Sequence, residues 1–334
     1  MAIAWNTRTQ VASGGVGSYA HDSSSDYTFR IYATASRTGA TASILIEYTA
    51  IANNTYAGYE DYSGPEEYLY VDNTQRSHKQ ISAIWPRYQE QTLATYTKTL
   101  TADAEGKFAS TTVRGVWVRN GSSGYAPKDL TISGTVELSD LPSYTVQFNS
   151  NGGSGTIANA TKYDGIGLVL PSSGFTKTGY HMTAWRKGST SGTAYALGGT
   201  YSDNEATTMY AIWTINTYSV RFNANGGSGS MSNESFTYGE TKALTSNAFT
   251  RQGYAFKGWA TSASGDVVYT DGESVSNLTG EDGVIVDLYA VWAKSGMRVK
   301  YNGSWKDGEV YAKVNGEWKS GQVYAKDGTW KEGS

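Results

Sequence analysis

The 334-residue sequence contains no cysteine and only five prolines, and charged residues make up 17% of it. Without cysteine, the chain has no disulfide, no thiolate nucleophile and no cysteine-ligated metal site. The N-terminal stretch MAIAWNTRTQVASGG lacks the basic segment and apolar core of a secretory signal. No apolar run approaches the roughly 18 residues that span a bilayer. We therefore expect a protein that is made in a cytoplasm, is not exported by the general secretory route and does not insert into a membrane.

Glycine and tyrosine are abundant, with 39 and 26 residues, and aromatic residues make up 13% of the chain. This composition favours strands and turns over helices. The net charge of −3 leaves no large basic surface, so we expect no nucleic-acid partner. Disorder is disfavoured as well, because aromatic side chains supply the apolar area that a core requires.

Residues 1–142 contain several short runs in which apolar and polar side chains alternate. In DYTFRIYATA, the side chains of Tyr27, Phe29 and Ile31 share one face of an extended strand, and similar runs follow at SILIEYTAI, TVRGVWVRN and LTISGTVEL. Runs of this length, separated by Gly, Ser and Asn clusters, predict an antiparallel β-sandwich of seven or eight strands. The turn-rich stretch DLPSY ends this segment.

Residues 143–294 contain an internal duplication. The stretch YTVQFNSNGGSG beginning at residue 144 returns as YSVRFNANGGSG at residue 218, an offset of 74, and Trp185 returns as Trp259. We therefore predict two modules, 143–215 and 216–294. Because Asn and Gly tolerate positive φ, Asn-Gly-Gly predicts a chain reversal after the first strand of each module. A phosphate-binding loop is disfavoured, because the Gly-Lys-Ser/Thr ending of such loops is absent.

The pattern Y-x-V-x-F-N-x-N-G-G, followed by G-Y, W and Y-A-x-W, resembles the Listeria–Bacteroides repeat. This repeat is the B-repeat module of internalin-type surface proteins. The resemblance covers both copies, and it implies a small β-grasp-like α+β module that serves as a spacer or adhesive unit on extracellular surfaces.

Residues 295–334 repeat a short aromatic phrase three times, in which Asn-Gly or Asp-Gly precedes Trp-Lys. These dipeptides between short strands predict β-hairpins. With a turn at 315–316, Lys313 faces Trp318, and Lys300 similarly faces Trp305. The third unit is one residue shorter, so we expect Ala325 to face Trp330.

A single two-stranded hairpin is marginally stable in water, so the three units must pack on one another or on a neighbouring chain. Their tryptophans can form a shared core, stacking platforms for the sugars of a bacterial surface glycan, or a symmetric interface between subunits. The candidate glycan-binding residues are Trp305, Tyr311, Lys313, Trp318, Tyr324 and Trp330.

The first segment, which ends in ISGTVELSDLP, and the terminal V-Y-x-K-x-N-G-x-W-K units resemble minor structural and fibre proteins of siphovirus tails. This resemblance implies a non-enzymatic virion protein, exposed at a tail tip or fibre and assembled in the host cytoplasm. Residues 1–142 would contact other virion proteins, and the hairpins would contact a bacterial surface glycan or protein. We also expect a homo-oligomer. The alternatives are a purely structural capsid decoration or head-fibre protein and a bacterial cell-surface adhesin.

No arrangement typical of an enzyme is evident, and we expect neither a cofactor nor a bound metal. The three histidines lie far apart in sequence, and we expect His181 at the surface. Carboxylates do cluster in YEDYSGPEEYLYVDN, where a glycosidase pair or a cation site is possible in principle. We favour a solvated polar loop for this cluster, which comprises Glu60, Asp61, Glu66, Glu67 and Asp72.

Overall fold

The computed structural model describes residues 2–16, 26–53, 65–81, 88–119 and 127–295, together with the backbone of six short strands within 297–332. The described residues form strands and turns and contain no helix. The mainly β fold class is therefore confirmed. The helix implied for the repeat modules is wrong, since residues 143–294 are all described. The segments between their strands are rich in Gly, Ser, Thr and Asn, which are poor helix formers.

The chain divides into two compact units. The first unit comprises Met1–Asn151, Thr156–Gly174 and Ala184–Ala211. The second unit comprises Gly152–Gly155, Phe175–Thr183 and Ile212–Ser334.

The N-terminal part of the first unit is a sandwich of two antiparallel sheets, as the alternating sequence pattern predicted. One sheet has the order β1-β2-β3-β6 and the other β5-β4-β7-β8, so the described residues provide eight strands. The strands are β1 (Thr9–Val16), β2 (Tyr27–Thr38), β3 (Thr41–Ala52), β4 (Glu66–Val71), β5 (Thr74–Gln80), β6 (Glu90–Thr101), β7 (Thr111–Val118) and β8 (Leu130–Val136).

The sandwich core is built from the inward-facing residues of both sheets. The side chains of Tyr27, Phe29 and Ile31 are all fully buried, which confirms the face that the sequence pattern assigned to them. The ring centroid of Phe29 lies 5.4 Å from that of Trp117 and 6.0 Å from that of Tyr48. Burying each such side chain contributes about 1.5–3 kcal/mol to the free energy of unfolding.

Each repeat module is a small sheet whose first and last strands pair in parallel. In the first module, β9 lies beside β15 in the order β10-β9-β15-β12-β13, and β11 pairs with β14. Its strands are β9 (Ser143–Asn149), β10 (Ala160–Tyr163), β11 (Leu168–Val169), β12 (Tyr180–Lys187), β13 (Ala194–Tyr195), β14 (Thr200–Tyr201) and β15 (Thr207–Ile215).

The second module has the sheet order β17-β16-β21-β19, with β16 parallel to β21, and a separate β18-β20 pair. Its strands are β16 (Thr217–Asn223), β17 (Glu234–Thr237), β18 (Thr241–Ala243), β19 (Tyr254–Ala260), β20 (Ser274–Ser276) and β21 (Ile285–Lys294). Trp259 is fully buried at its centre, and its ring centroid lies 4.8 Å from that of Phe222 and 4.9 Å from that of Phe256.

Candidate binding surfaces and module joints

The terminal segment forms three two-stranded hairpins. They consist of β22 (Met297–Tyr301) with β23 (Ser304–Gly308), β24 (Tyr311–Val314) with β25 (Glu317–Ser320), and β26 (Tyr324–Lys326) with β27 (Trp330–Glu332). The predicted registers of the first two are confirmed: Lys300 lies opposite Trp305, and Lys313 lies opposite Trp318.

The predicted register of the third hairpin is wrong. Lys326, and not Ala325, lies opposite Trp330, while Ala325 lies opposite Lys331. Three residues separate β26 from β27, whereas two residues separate the strands of the other hairpins. The longer connection moves the pairing by one position. All three hairpins therefore place a lysine opposite a tryptophan.

The candidate glycan-binding residues all lie on hairpin strands, namely Trp305 on β23, Tyr311 and Lys313 on β24, Trp318 on β25, Tyr324 on β26 and Trp330 on β27. Whether they bind a glycan, form a shared core or form a subunit interface stays a prediction.

The acidic cluster is not one solvated loop, so that interpretation is wrong for its described members. Glu60 and Asp61 lie outside the described residues. Glu66 and Glu67 are neighbours on β4, and successive side chains of a strand point to opposite faces. Asp72 lies in the turn after β4 and pairs with Lys98. Glu66 and Glu67 thus do not face a common substrate, and no group of three His, Asp or Glu residues suited to a metal occurs in the part of the chain that the structure describes.

Glu67 is a buried carboxyl group inside the sandwich. Its Oε1 accepts a hydrogen bond of 2.7 Å from the Ser77 hydroxyl, and its Oε2 is buried without a hydrogen-bond partner among the described residues. Burial raises the pKa of Glu67 and is also the main cause that raises the pKa of the buried Tyr48 hydroxyl. The sequence did contain a signal, because Glu67 occupies the inward-facing position that Leu69 and Val71 continue.

The Asn-Gly-Gly turns have the predicted positive φ, with 48° at Asn151 and 46° at Asn225. Each Asn also has a second function that sequence reasoning missed. The side-chain amide of Asn151 donates a hydrogen bond of 2.9 Å to the carbonyl of Ala211, and that of Asn225 donates one of 2.9 Å to the carbonyl of Ala290. The side chain therefore fastens the turn to the last strand of its own module.

Asn216 connects the end of the first repeat to the second repeat, and all of its contacts described here lie within the second unit. Its backbone N–H donates to the carbonyl of Gly179 at 2.8 Å, and its carbonyl accepts from the N–H of Tyr238 at 2.9 Å. Its side-chain amide donates to the carbonyl of Gly280 at 2.7 Å, and its Oδ1 lies 2.8 Å from Nδ1 of His181. His181, expected at the surface, is partly exposed but belongs to this joint.

The sandwich and the first repeat share an analogous joint within the first unit. The carbonyl of Pro142, 74 residues before Asn216, accepts a hydrogen bond of 2.9 Å from the N–H of Asp164, which is 74 residues before Tyr238. The Asp164 carboxylate also pairs with Arg37. A Cβ added to Gly165 would lie 2.6 Å from the backbone N of Ala40, so the two backbones touch. The same turn of each repeat thus contacts the segment before it.

The first repeat contains a buried ammonium group where the second has an aromatic ring. Lys162 is 1% exposed, and its Nζ donates to the carbonyl of Tyr163 at 2.6 Å and to Oδ1 of Asn204 at 2.8 Å. Burial lowers the pKa of Lys162. The positions 74 residues later are Phe236, which is buried, and Leu278. A polar pair in one module therefore corresponds to an apolar pair in the other.

Comparison with known proteins identifies the repeats. Residues 144–212 and 218–290 match the Listeria-Bacteroides repeat domain. The chain therefore contains two Listeria-Bacteroides repeats, at the places where the sequence duplication predicted them.

Three relatives match between a third and a half of this chain. Two come from Evansella cellulosilytica: one described as a Gly-rich membrane protein is 35% identical over 35% of this chain, and one described as a membrane protein is 31% identical over 48% of it. Internalin H of Listeria monocytogenes is 29% identical over 38% of this chain. The matches span 14%, 23% and 22% of these relatives' own lengths. Within the described part of this chain, no helix could cross a membrane.

Proposed function

We propose that this chain is a non-enzymatic, surface-displayed protein in which two Listeria-Bacteroides repeats act as a spacer between the N-terminal sandwich and terminal adhesive hairpins. The joints carry this proposal. At Pro142 and at Asn216 the same backbone hydrogen bond connects a repeat to the segment before it. Modules that only followed one another on a flexible linker would not need such a connection.

The relatives favour display on a bacterial cell. One of them is an internalin, and two are described as membrane proteins. Their shared segment with this chain includes the repeats, so this support concerns the setting in which such repeats are used. The remainder of each relative lies outside the match, and their other properties are not transferred.

A second candidate is a virion protein of a tailed phage, placed at a tail tip or fibre or on the capsid as a decoration. The support for it is the resemblance of residues 1–142 and of the terminal hairpins to siphovirus tail proteins. In this case residues 1–142 contact other virion proteins, and the hairpins again face the host. Both candidates assign the same adhesive task to the hairpins, and sedimentation of the purified chain tests the expected homo-oligomer.

The hairpin register supports an adhesive surface. A lysine opposite a tryptophan recurs in all three units. Such a pair combines an aromatic platform with a cation, at an interaction energy of about 0.5–1 kcal/mol when exposed. A repeated pair of this kind allows several weak contacts to act together on a polymer.

The test is retention of the full chain on washed bacterial cell walls. We expect a variant with Trp305→Ala and Trp318→Ala to lose at least about tenfold in retention, since each base- or sugar-sized stacking contact is worth about 1–3 kcal/mol. Lys306→Ala, next to Trp305, is the matched control. Unchanged retention by the double variant contradicts the proposal, and so does loss of soluble protein, which assigns the tryptophans to a core.

A further inference from the structure

We propose that the outer face of the sandwich sheet β5-β4-β7-β8 binds an acidic polysaccharide. We define this binding face by Tyr68, Tyr70, His78 and Arg114 and by the hydroxyl and amide side chains beside them. All of these residues belong to the first unit, and the proposal is independent of the terminal hairpins.

A column of planar side chains crosses the binding face. The rings of His78 and Tyr68 are stacked, with centroids 4.4 Å apart and 4° between their planes. The ring of Tyr70 lies 6.4 Å from that of Tyr68 at an angle of 21°. The guanidinium carbon of Arg114 lies 4.1 Å from the centroid of Tyr70. Strand register produces the column, because Tyr68 is opposite His78 and Tyr70 is opposite Arg114.

Arg114 is exposed, and no carboxylate lies within ion-pairing distance of it among the described residues. The nearby acids are engaged elsewhere: Asp72 binds Lys98 and the backbone N–H of Thr112, and Glu66 accepts the hydroxyl of Tyr68. A planar guanidinium held against a ring loses little freedom when it binds a carboxylate or phosphate in bidentate geometry. The binding face therefore offers a preformed site for an oxyanion.

The surroundings of Arg114 select a ligand with many hydroxyl groups. A hollow of about 410 Å³ opens beside the column. Its polar lining consists of the side chains of Tyr70, Asn73, Thr112, Arg114, Ser133 and Thr135. Hydroxyl and amide groups both donate and accept hydrogen bonds, as the hydroxyls of a sugar do. An oxyanion combined with hydroxyl groups is the chemistry of an acidic polysaccharide.

The outer face of the other sheet has a different character. There Arg8 pairs with Glu47 at 2.8 Å, and Arg30 pairs with Glu90 at 3.2 Å. Its arginines are thus neutralised within the protein. The unneutralised Arg114 therefore distinguishes the proposed binding face from the surface of the sandwich in general.

The test measures binding of the full chain to three polymers by isothermal titration calorimetry: polygalacturonate, neutral dextran and polyglutamate. We expect binding to polygalacturonate that weakens at least tenfold in Arg114→Gln and in Tyr70→Ala. The matched control is Arg76→Gln, which removes an exposed arginine of β5 that lies over Tyr96 and outside the hollow. This control should change the affinity less than twofold.

Equal losses in Arg114→Gln and Arg76→Gln, or equal affinity for polyglutamate, would reduce the effect to general attraction of polyanions and overturn the proposal. Absence of binding to polygalacturonate, or equal binding of dextran, overturns it as well. The variant with Trp305→Ala and Trp318→Ala separates the two surfaces: we expect it to retain the Arg114-dependent binding. If it loses that binding, the site lies in the hairpins and the proposal for the sandwich fails. Far-UV circular dichroism of Arg114→Gln verifies that the variant folds.

Discussion

The side-chain amide of Asn225 donates a hydrogen bond to the carbonyl of Ala290, 65 residues further along the chain, at 2.9 Å. Asn151 makes the same contact with Ala211 in the first repeat. A turn next to the first strand is thereby bound to the last strand, which closes each module across most of its length. The conformational role of Asn-Gly-Gly and its role in tertiary structure reside in the same residue.

Replacing Asn225 by Gly separates these two roles, because glycine accepts the positive φ but has no amide group to donate. We expect the free energy of unfolding of the second repeat to fall by about 1–3 kcal/mol. Hydrogen exchange of the peptide containing Ala290, followed by mass spectrometry, should become correspondingly faster. Asn223→Ala is the control, since its amide makes only a 3.4 Å contact with Asp287. Equal exchange in both variants would show that the turn conformation alone matters.

The buried pair of Lys162 and Asn204 should behave as a coupled unit. Asn204→Leu alone removes the side-chain acceptor of a buried ammonium group, and we expect a loss of about 1.5–3 kcal/mol in the free energy of unfolding. Combining it with Lys162→Phe reproduces the residues of the second repeat, and we expect the double variant to recover part of that loss. Urea denaturation of the wild type, both single variants and the double variant gives the coupling energy. Additive effects within ~0.5 kcal/mol would contradict the coupling.

Glu67 should make the sandwich less stable as the pH rises. Because burial raises the pKa of Glu67, the folded state holds this proton more tightly than the unfolded state does. Its contribution to stability is therefore largest below the ordinary pKa of a glutamate, and declines as the pH rises through the raised pKa.

Glu67→Gln removes this titration. We expect the variant to gain stability relative to the wild type between about pH 4 and pH 8, by ~1–3 kcal/mol at the upper end. Thermal unfolding at several pH values measures the difference. Glu66→Gln, on the outer face of the same strand, is the control. A constant difference between Glu67→Gln and the wild type over this pH range would exclude the pH effect of Glu67.

Asn216→Ala should loosen the joint between the repeats. The variant keeps both backbone hydrogen bonds but loses the side-chain contacts with His181 and Gly280. We expect faster proteolysis within residues 213–218 and a loss of about 1–3 kcal/mol, because a buried acceptor loses its donor. His181→Ala removes one of the two contacts and should have a smaller effect. If both variants are cleaved at the wild-type rate, the side chain of Asn216 does not hold the joint.

Features that depend on local pattern were predictable from the sequence. Alternation placed Phe29 in the sandwich core, and the duplicated Asn-Gly-Gly located the turn of each repeat. Turn length set the register of the first two hairpins, and the error at Ala325 arose because a three-residue connection was treated as if it only shortened the unit.

Features that depend on distant residues were not predictable in the same way. The bond from Asn216 to Gly280 and the contact of Arg37 with Asp164 join segments whose proximity only the folded chain establishes. The helix implied by family resemblance failed for a related reason. It was inferred from the repeat as a class, whereas the Gly- and Ser-rich connections of this chain favour turns.

The most direct test of the proposed function is quantitative mass spectrometry of three fractions from the organism that carries the gene: peptides shaved by trypsin from intact cells, washed cell walls and density-purified phage particles. Surface display predicts that peptides of this chain are enriched in the shaved and cell-wall fractions, or in the particles at a fixed ratio to the major capsid protein. The first result identifies a bacterial surface protein and the second a virion protein. Recovery of the chain only inside lysed, washed cells would contradict surface display in either setting.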